Sequence, residues 1–193
     1  MDVEFFDDGI FALRNFLTVE ECAESIRNSE HLGYEEAAIQ TLRGDQVRKD
    51  VRNNERVLLD DFALSVRLFE RAKDYFPPQL HAAAVYGWSV CGLNERWRFY
   101  RYTPGQQFDW HLDGIVRPRP GQQSALTFMI YLNDDFEGGD TDFETDSGPV
   151  SVRPVRGAAL VFPHKIRHRG APITSGVKYV LRSDVMYQAP VTQ

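Results

Sequence analysis

Beyond Pro78 the chain breaks into short β-rich runs separated by Gly, Pro, Asn and Asp, and this patterning constrains the fold more than any other feature of the sequence. The runs are 97–102 (WRFYRY), 107–112 (QFDWHL), 125–132 (ALTFMIYL), 141–144, 149–152, 158–162 (AALVF) and 177–187 (VKYVLRSDVMY). Many short strands divided by turn signals predict a sandwich, jelly roll or barrel, and argue against a parallel α/β sheet.

The first 80 residues read differently. Thr18 followed by Glu21 is a capping-box pattern, and Val19, Cys22 and Ile26 recur at helical spacing, which predicts a helix over 19–29. Phe62, Val66, Phe69 and Ala72 predict a second helix that ends before Pro77 and Pro78. Between them, 44–56 is polar and without a clear period, and reads as a loop or lid. The expectation is one domain of 193 residues, with a helical support region over 1–80 and a β core over 81–193.

Composition narrows the class. Hydrophobic residues make up 42% and charged residues 26%, which is too apolar for a disordered chain. The net charge of −6 offers no general attraction to phosphate backbones or anionic lipid, which argues against nucleic acid as a partner. The longest apolar runs, such as 157–163, fall far short of the roughly 20 residues a membrane span needs. No basic stretch leads into an apolar one at the N-terminus, so the expected location is the cytoplasm. Cys22 and Cys91 are the only cysteines, too few for a disulfide or zinc framework, and are expected to be reduced.

Chemistry enters at Phe108-Asp-Trp-His-Leu-Asp-Gly114. His111 and Asp113 are two residues apart, and on a strand such residues project from one face, so they can share one ion. An imidazole, a carboxylate and a second imidazole form the facial triad that holds iron(II) and leaves other positions open. The second imidazole must come from His164 or His168, the only histidines downstream. A lone His-x-Asp is a weak signal, read first as a surface or hydrogen-bonded pair. Lys178 and Arg182, on the strand after the second histidine, share a face with Val180 and suit a dicarboxylate co-substrate. The alternative is an edge strand whose polar face meets solvent.

At these residues the sequence resembles the prolyl 4-hydroxylase-type branch of the 2-oxoglutarate/iron(II) oxygenases, over about residues 97–187. Phe99-Tyr-Arg-Tyr-Thr-Pro-Gly-Gln-Gln-Phe-Asp-Trp-His111-Leu-Asp113 resembles the family's strand and turn into its His-x-Asp motif. Leu126-Thr-Phe-Met-Ile-Tyr131 resembles its central strand, and Glu137-Gly-Gly-Asp-Thr-Asp-Phe143 its Gly-rich turn. Asn15-Phe-Leu-Thr-Val-Glu-Glu-Cys22 resembles, more loosely, the start of its first helix.

The resemblance implies a double-stranded β-helix, that is, a cupin-like jelly roll flanked by α-helices. It implies iron(II) held by His111, Asp113 and His168, with 2-oxoglutarate and O2 as co-substrates and ascorbate as a reductant. Lys178, ten positions after His168, would pair with the far carboxylate of 2-oxoglutarate, and Tyr131 would donate to it, unless Tyr131 only fills the core. Tyr102 would approach the metal or the co-substrate. Arg182 would share the task of Lys178 or touch substrate.

The implied substrate is a prolyl or other residue of a protein or peptide, and after that a free amino acid or small metabolite. Repair of alkylated bases would call for a basic groove, which the acidic balance does not suggest. A non-catalytic cupin-like binding module is the reading from another class. Segments 52–56 (RNNER) and 114–123 (GIVRPRPGQQ) carry no signature; the first reads as a solvated loop or as the mouth of the site.

Overall fold

A computed structural model describes residues 1–37, 39–41, 44–46, 52–79 and 86–190. Helix α1 spans Val19–Leu32, and its N-terminus is the capping box read from the sequence. The Thr18 hydroxyl accepts from the Glu21 N–H at 3.2 Å, and the Glu21 carboxylate accepts from the Thr18 N–H at 2.9 Å. Helix α2 spans Phe62–Ala72, capped by Asp61, whose carboxylate accepts from the Leu64 N–H at 2.8 Å.

The N-terminal strands are β1 (Asp2–Asp7), β2 (Ile10–Arg14), β3 (Glu35–Glu36), β4 (Ile39–Thr41), β5 (Gly44–Gln46) and β6 (Glu55–Asp60). After α2 come β7 (Ser89–Leu93), β8 (Arg96–Tyr102), β9 (Phe108–His111), β10 (Gln122–Tyr131) and β11 (Glu137–Gly138). The last are β12 (Thr141–Thr145), β13 (Gly148–Val152), β14 (Ala159–Pro163), β15 (Arg167–Gly170), β16 (Ile173–Ser175) and β17 (Lys178–Gln188).

The main sheet runs β1-β2-β14-β10-β17-β8-β6-β3, with β7 pairing on β17; a second sheet runs β13-β12-β15-β9. From β8 onward the chain passes back and forth between the two. Strands β8, β10, β14 and β17 lie in the main sheet, and β9, β12, β13 and β15 in the second. This alternation, antiparallel throughout, builds the double-stranded β-helix, or jelly roll.

The main sheet is apolar on both faces. Phe99, Phe128 and Leu181 pack against Cys22 of α1 and Leu68 and Ala72 of α2. Their strand neighbours Tyr100, Tyr131 and Val180 turn the other way, into the space between the sheets with Phe143 and Phe162. Strand β17 lies between β10 and β8, and Lys178 is 4% exposed. The solvent-facing edge-strand alternative for Lys178 is therefore excluded.

Six strands, β1 to β6, lie in the first 80 residues, where the sequence reading placed none. Residues 10–13 are all buried, so β2 shows no polar alternation; it reaches the main sheet by pairing with β14. The expected loop over 44–56 contains β5 and the start of β6, and its residues 47–51 lie outside the described set. Arg52 and Asn54 are buried, which overturns the solvated reading of that stretch. Cys22 and Cys91 are free thiols. Among the described residues no helix is long and apolar enough to cross a membrane.

Candidate active site

The strand pairing brings the sequence-predicted residues together. His168 on β15 sits directly opposite His111 on β9, and the Asp113 N–H donates to the His164 carbonyl at 3.0 Å just beyond β9. His111, Asp113 and His168 each offer one ligand atom, and these atoms lie within 4.8 Å of one another. His111 Nε2 is 3.7 Å from Asp113 Oδ1, and His168 Nε2 is 3.5 Å from Asp113 Oδ2.

The orientation of both rings is fixed from behind. Nδ1 of His111 lies 2.7 Å from the Asp109 carbonyl and Nδ1 of His168 2.9 Å from the Ile166 carbonyl. A carbonyl only accepts, so each Nδ1 carries the proton and each Nε2 presents a lone pair toward Asp113. Burial and the neighbouring His168 hold His111 neutral, with its pKa down to about 3; burial lowers His168 as well. Burial alone would raise the Asp113 carboxyl, but Arg182 and the two histidines hold it well below the usual carboxylate range. Two neutral imidazoles and a carboxylate, converging and buried, are a donor set that fits a divalent transition metal.

His164, the other downstream histidine, stands outside the cluster but is tied to it. The Ser124 hydroxyl donates to His164 Nε2 at 2.9 Å, and His164 Nδ1 lies 3.0 Å from the Thr127 hydroxyl oxygen. Thr127 in turn donates to Asp113 Oδ2 at 2.5 Å. Each partner in this chain polarises the next.

The cavity beside the triad extends along β17. At its far end are Tyr102 and Lys178, which are paired across β8 and β17, together with Thr141. Lys178 Nζ donates to the Gly139 carbonyl at 2.5 Å and lies 5.6 Å and 5.3 Å from the ring centres of Tyr102 and Tyr131. Among the described residues no carboxylate lies within ion-pair distance of it. Burial pulls the Lys178 ammonium down to about 8, against the pull of Asp140 and Asp142. Gly139 allows this approach: at φ +71° a Cβ there would fall 2.3 Å from Ile173 Cδ1. The Tyr131 hydroxyl shares a 2.7 Å hydrogen bond with Thr141 Oγ1, and burial pushes the Tyr102 hydroxyl up to about 12.

Arg182 lies elsewhere. Four strand residues span roughly 13 Å, and Arg182 Nη2 sits 2.9 Å from Asp113 Oδ2 and 3.3 Å from Asp184 Oδ1. The residues that sequence reasoning missed are Thr127, Thr141, Tyr100 and Phe108. Thr127 was open to inference, since it lies two and four positions before Met129 and Tyr131 on the same strand face.

Fold and site together define a jelly-roll protein with a buried cluster of two histidines and one carboxylate, and a lysine-ended cavity. Residues 97–183 match the family model described as the 2OG-Fe(II) oxygenase superfamily. Over these residues the chain is similar to the 2-oxoglutarate/iron(II) oxygenases. A PKHD-type hydroxylase of Thioalkalivibrio sulfidiphilus is 34% identical over 82 residues, covering 40% of this chain and 37% of that protein. One from Delftia acidovorans is 32% identical over 88 residues, covering 42% and 39%. The chain thus matches about two-fifths of the length of these relatives.

Among solved structures, the viral collagen prolyl hydroxylase of Paramecium Bursaria Chlorella virus-1, in its 2-oxoglutarate complex, superposes with a TM-score of 0.63 at 22% identity. That match covers 92% of this chain and 96% of that one. A Trichoplax adhaerens prolyl hydroxylase bound to a hypoxia inducible factor peptide fragment gives 0.67 at 17% identity, covering 92% and 83%. At these identities the likeness establishes the fold.

Proposed function

We propose that this chain is an iron(II)- and 2-oxoglutarate-dependent dioxygenase that hydroxylates an unactivated C–H of a prolyl or other residue in a protein or peptide. The observation that carries the reading is the convergence of His111 Nε2, His168 Nε2 and the Asp113 carboxylate in a cavity whose far end holds a buried, carboxylate-free lysine. The hydroxylase names of the relatives, and the peptide bound to the Trichoplax neighbour, support the substrate class.

In this reading His111, Asp113 and His168 hold iron(II). When bound with 2-oxoglutarate and O2, the metal supplies oxidising power: the co-substrate is decarboxylated to succinate and CO2, and the second oxygen atom enters the substrate C–H. The chain's own residues bind, orient and exclude water. Lys178 pairs with the far carboxylate, the Tyr131 and Thr141 hydroxyls flank it, and Tyr102 walls the cavity. Phe162 and Val180 keep water from the reacting centre.

The direct test is succinate formation from 2-oxoglutarate with iron(II) and ascorbate, with and without proline-containing peptides and free amino acids. Substrate-stimulated succinate is expected; metal and co-substrate binding without any turnover would point to a non-catalytic binding module. Thr127→Val, which removes the donor to Asp113, should weaken divalent-metal affinity about tenfold. Spectroscopic cobalt(II) titration measures this, and an unaltered affinity would mean that Thr127 does not orient the carboxylate.

A further inference from the structure

Arg52 is the buried cation that this chemistry leaves without a task. It is 5% exposed, its Nε donates to Asn54 Oδ1 at 2.6 Å, and its guanidinium carbon lies 4.4 Å from the ring centres of both Tyr100 and Phe108. Phe108 stacks on His111 with ring centres 3.5 Å apart, so Arg52 is one ring removed from the triad. Among the described residues no carboxylate lies within ion-pair distance of Arg52, and its Nη2 is buried without an acceptor. Ring faces offset the loss of water in part. A guanidinium withdrawn from water beside a neutral amide still calls for an anion.

Arg182, on the main sheet, is paired with carboxylates but shares with Arg52 a buried donor that lacks an acceptor. Its Nη2 is engaged by Asp113 and Asp184, but its Nε is buried without an acceptor, and its side chain lines the cavity beside the triad. Both arginines neighbour Tyr100. Burial disfavours the Tyr100 phenolate, yet the positive charges of Arg52, Arg182 and Arg98 outweigh it and hold the hydroxyl at about 8. Loading the site does not answer this positive field, because an iron(II) cation and a 2-oxoglutarate dianion cancel. Lys178 already serves the far carboxylate in that reading, and among the described residues none offers Arg52 a counter-charge, which leaves it open to one carried by another molecule.

We propose that Arg52 and Arg182, with Tyr100 as their shared neighbour beside the His111-Asp113-His168 cluster, form an anion subsite for a carboxylate of the molecule to be hydroxylated. The proposal rests on the oxygenase reading and narrows its substrate class to carboxylate-bearing molecules. Guanidinium suits the task, since its planar N–H groups match a carboxylate's two oxygens.

The test titrates acid and amide pairs into protein loaded with manganese(II) and 2-oxoglutarate under nitrogen, read by calorimetry. L-Proline against L-prolinamide probes a free amino acid; acetyl-Glu-Pro-Gly-amide against acetyl-Gln-Pro-Gly-amide probes a peptide side chain. One acid is expected to bind about tenfold or more tightly than its amide, and the arm showing this identifies the source of the carboxylate. Arg52→Gln should erase the preference and leave the dissociation constant of 2-oxoglutarate unchanged. Arg52→Lys, which keeps the charge, should retain part of it and so separates lost recognition from lost folding.

Equal binding of acids and amides in both arms, or a preference that survives Arg52→Gln, would overturn the subsite. So would a weakened 2-oxoglutarate constant in Arg52→Gln, which would assign these groups to the co-substrate. Failure of the wild-type protein to take up manganese(II) and 2-oxoglutarate would instead overturn the oxygenase reading itself.

Discussion

Asp113→Ala is expected to abolish iron-dependent succinate formation and to destabilise the metal-free protein by about 3–5 kcal/mol. The second effect separates Asp113 from the other two members of the triad. Its carboxylate is the 2.9 Å partner of Arg182 and the acceptor of the Thr127 hydroxyl, so its removal strands a largely buried guanidinium. His111→Ala should also end turnover, but it leaves the Arg182 pair intact and should cost far less stability. Urea denaturation of the two metal-free variants, alongside succinate release, checks both halves. Turnover in Asp113→Ala would remove this residue from the metal site, and equal stabilities would mean that Asp184 alone satisfies Arg182.

Lys178→Met should move affinity and stability in opposite directions. Losing the charge-assisted contact, worth about 1.5–3 kcal/mol, raises the dissociation constant of 2-oxoglutarate roughly 10- to 100-fold. The metal-free, co-substrate-free protein should become more stable, by about 1–3 kcal/mol, because a buried ammonium without a carboxylate partner gives way to an apolar chain of similar length. The sign with pH follows from the lowered pKa. Below about 8 the lysine is charged in both folded and unfolded chains, and the folded state bears the full desolvation cost. Between about 8 and the ordinary value of 10.5 the folded chain sheds the proton first, so wild-type stability rises with pH and the advantage of Lys178→Met fades. Chemical denaturation at pH 7 and pH 10 measures the difference; an advantage that persists at the higher pH would contradict this account.

Much of this site was readable because a strand repeats every two residues. His111 with Asp113, and Lys178 with Arg182, were assigned to shared faces on that ground alone, and β8 to β10, β12 to β14 and β17 fall close to the runs read from the sequence, whereas β15 was not read as a run. Which downstream histidine joins the pair was not a local question: it depends on β15 pairing with β9, which places His168 opposite His111 and leaves His164 on the far side of Thr127. Arg52 was illegible for a similar reason. Its burial comes from a bridge to Phe108, far away in sequence, and a polar stretch such as RNNER looks solvated until that bridge is known. Strand β2 was hidden by the opposite property, since an unbroken apolar run carries no period to detect.

The placement of β17 has a consequence for how the cavity breathes. Lys178 and Arg182 sit on a strand hydrogen-bonded on both sides, by β10 and β8, and flanked by apolar layers on each face. Its amides can exchange with solvent only when the main sheet itself comes apart, so this wall moves with global unfolding. Arg52 hangs on an isolated bridge at the margin of the second sheet. Motion near the site is therefore expected to be lopsided: the strand that carries Lys178 and Arg182 stays fixed, and the single-bridge attachment of Arg52 is expected to open at lower free energy.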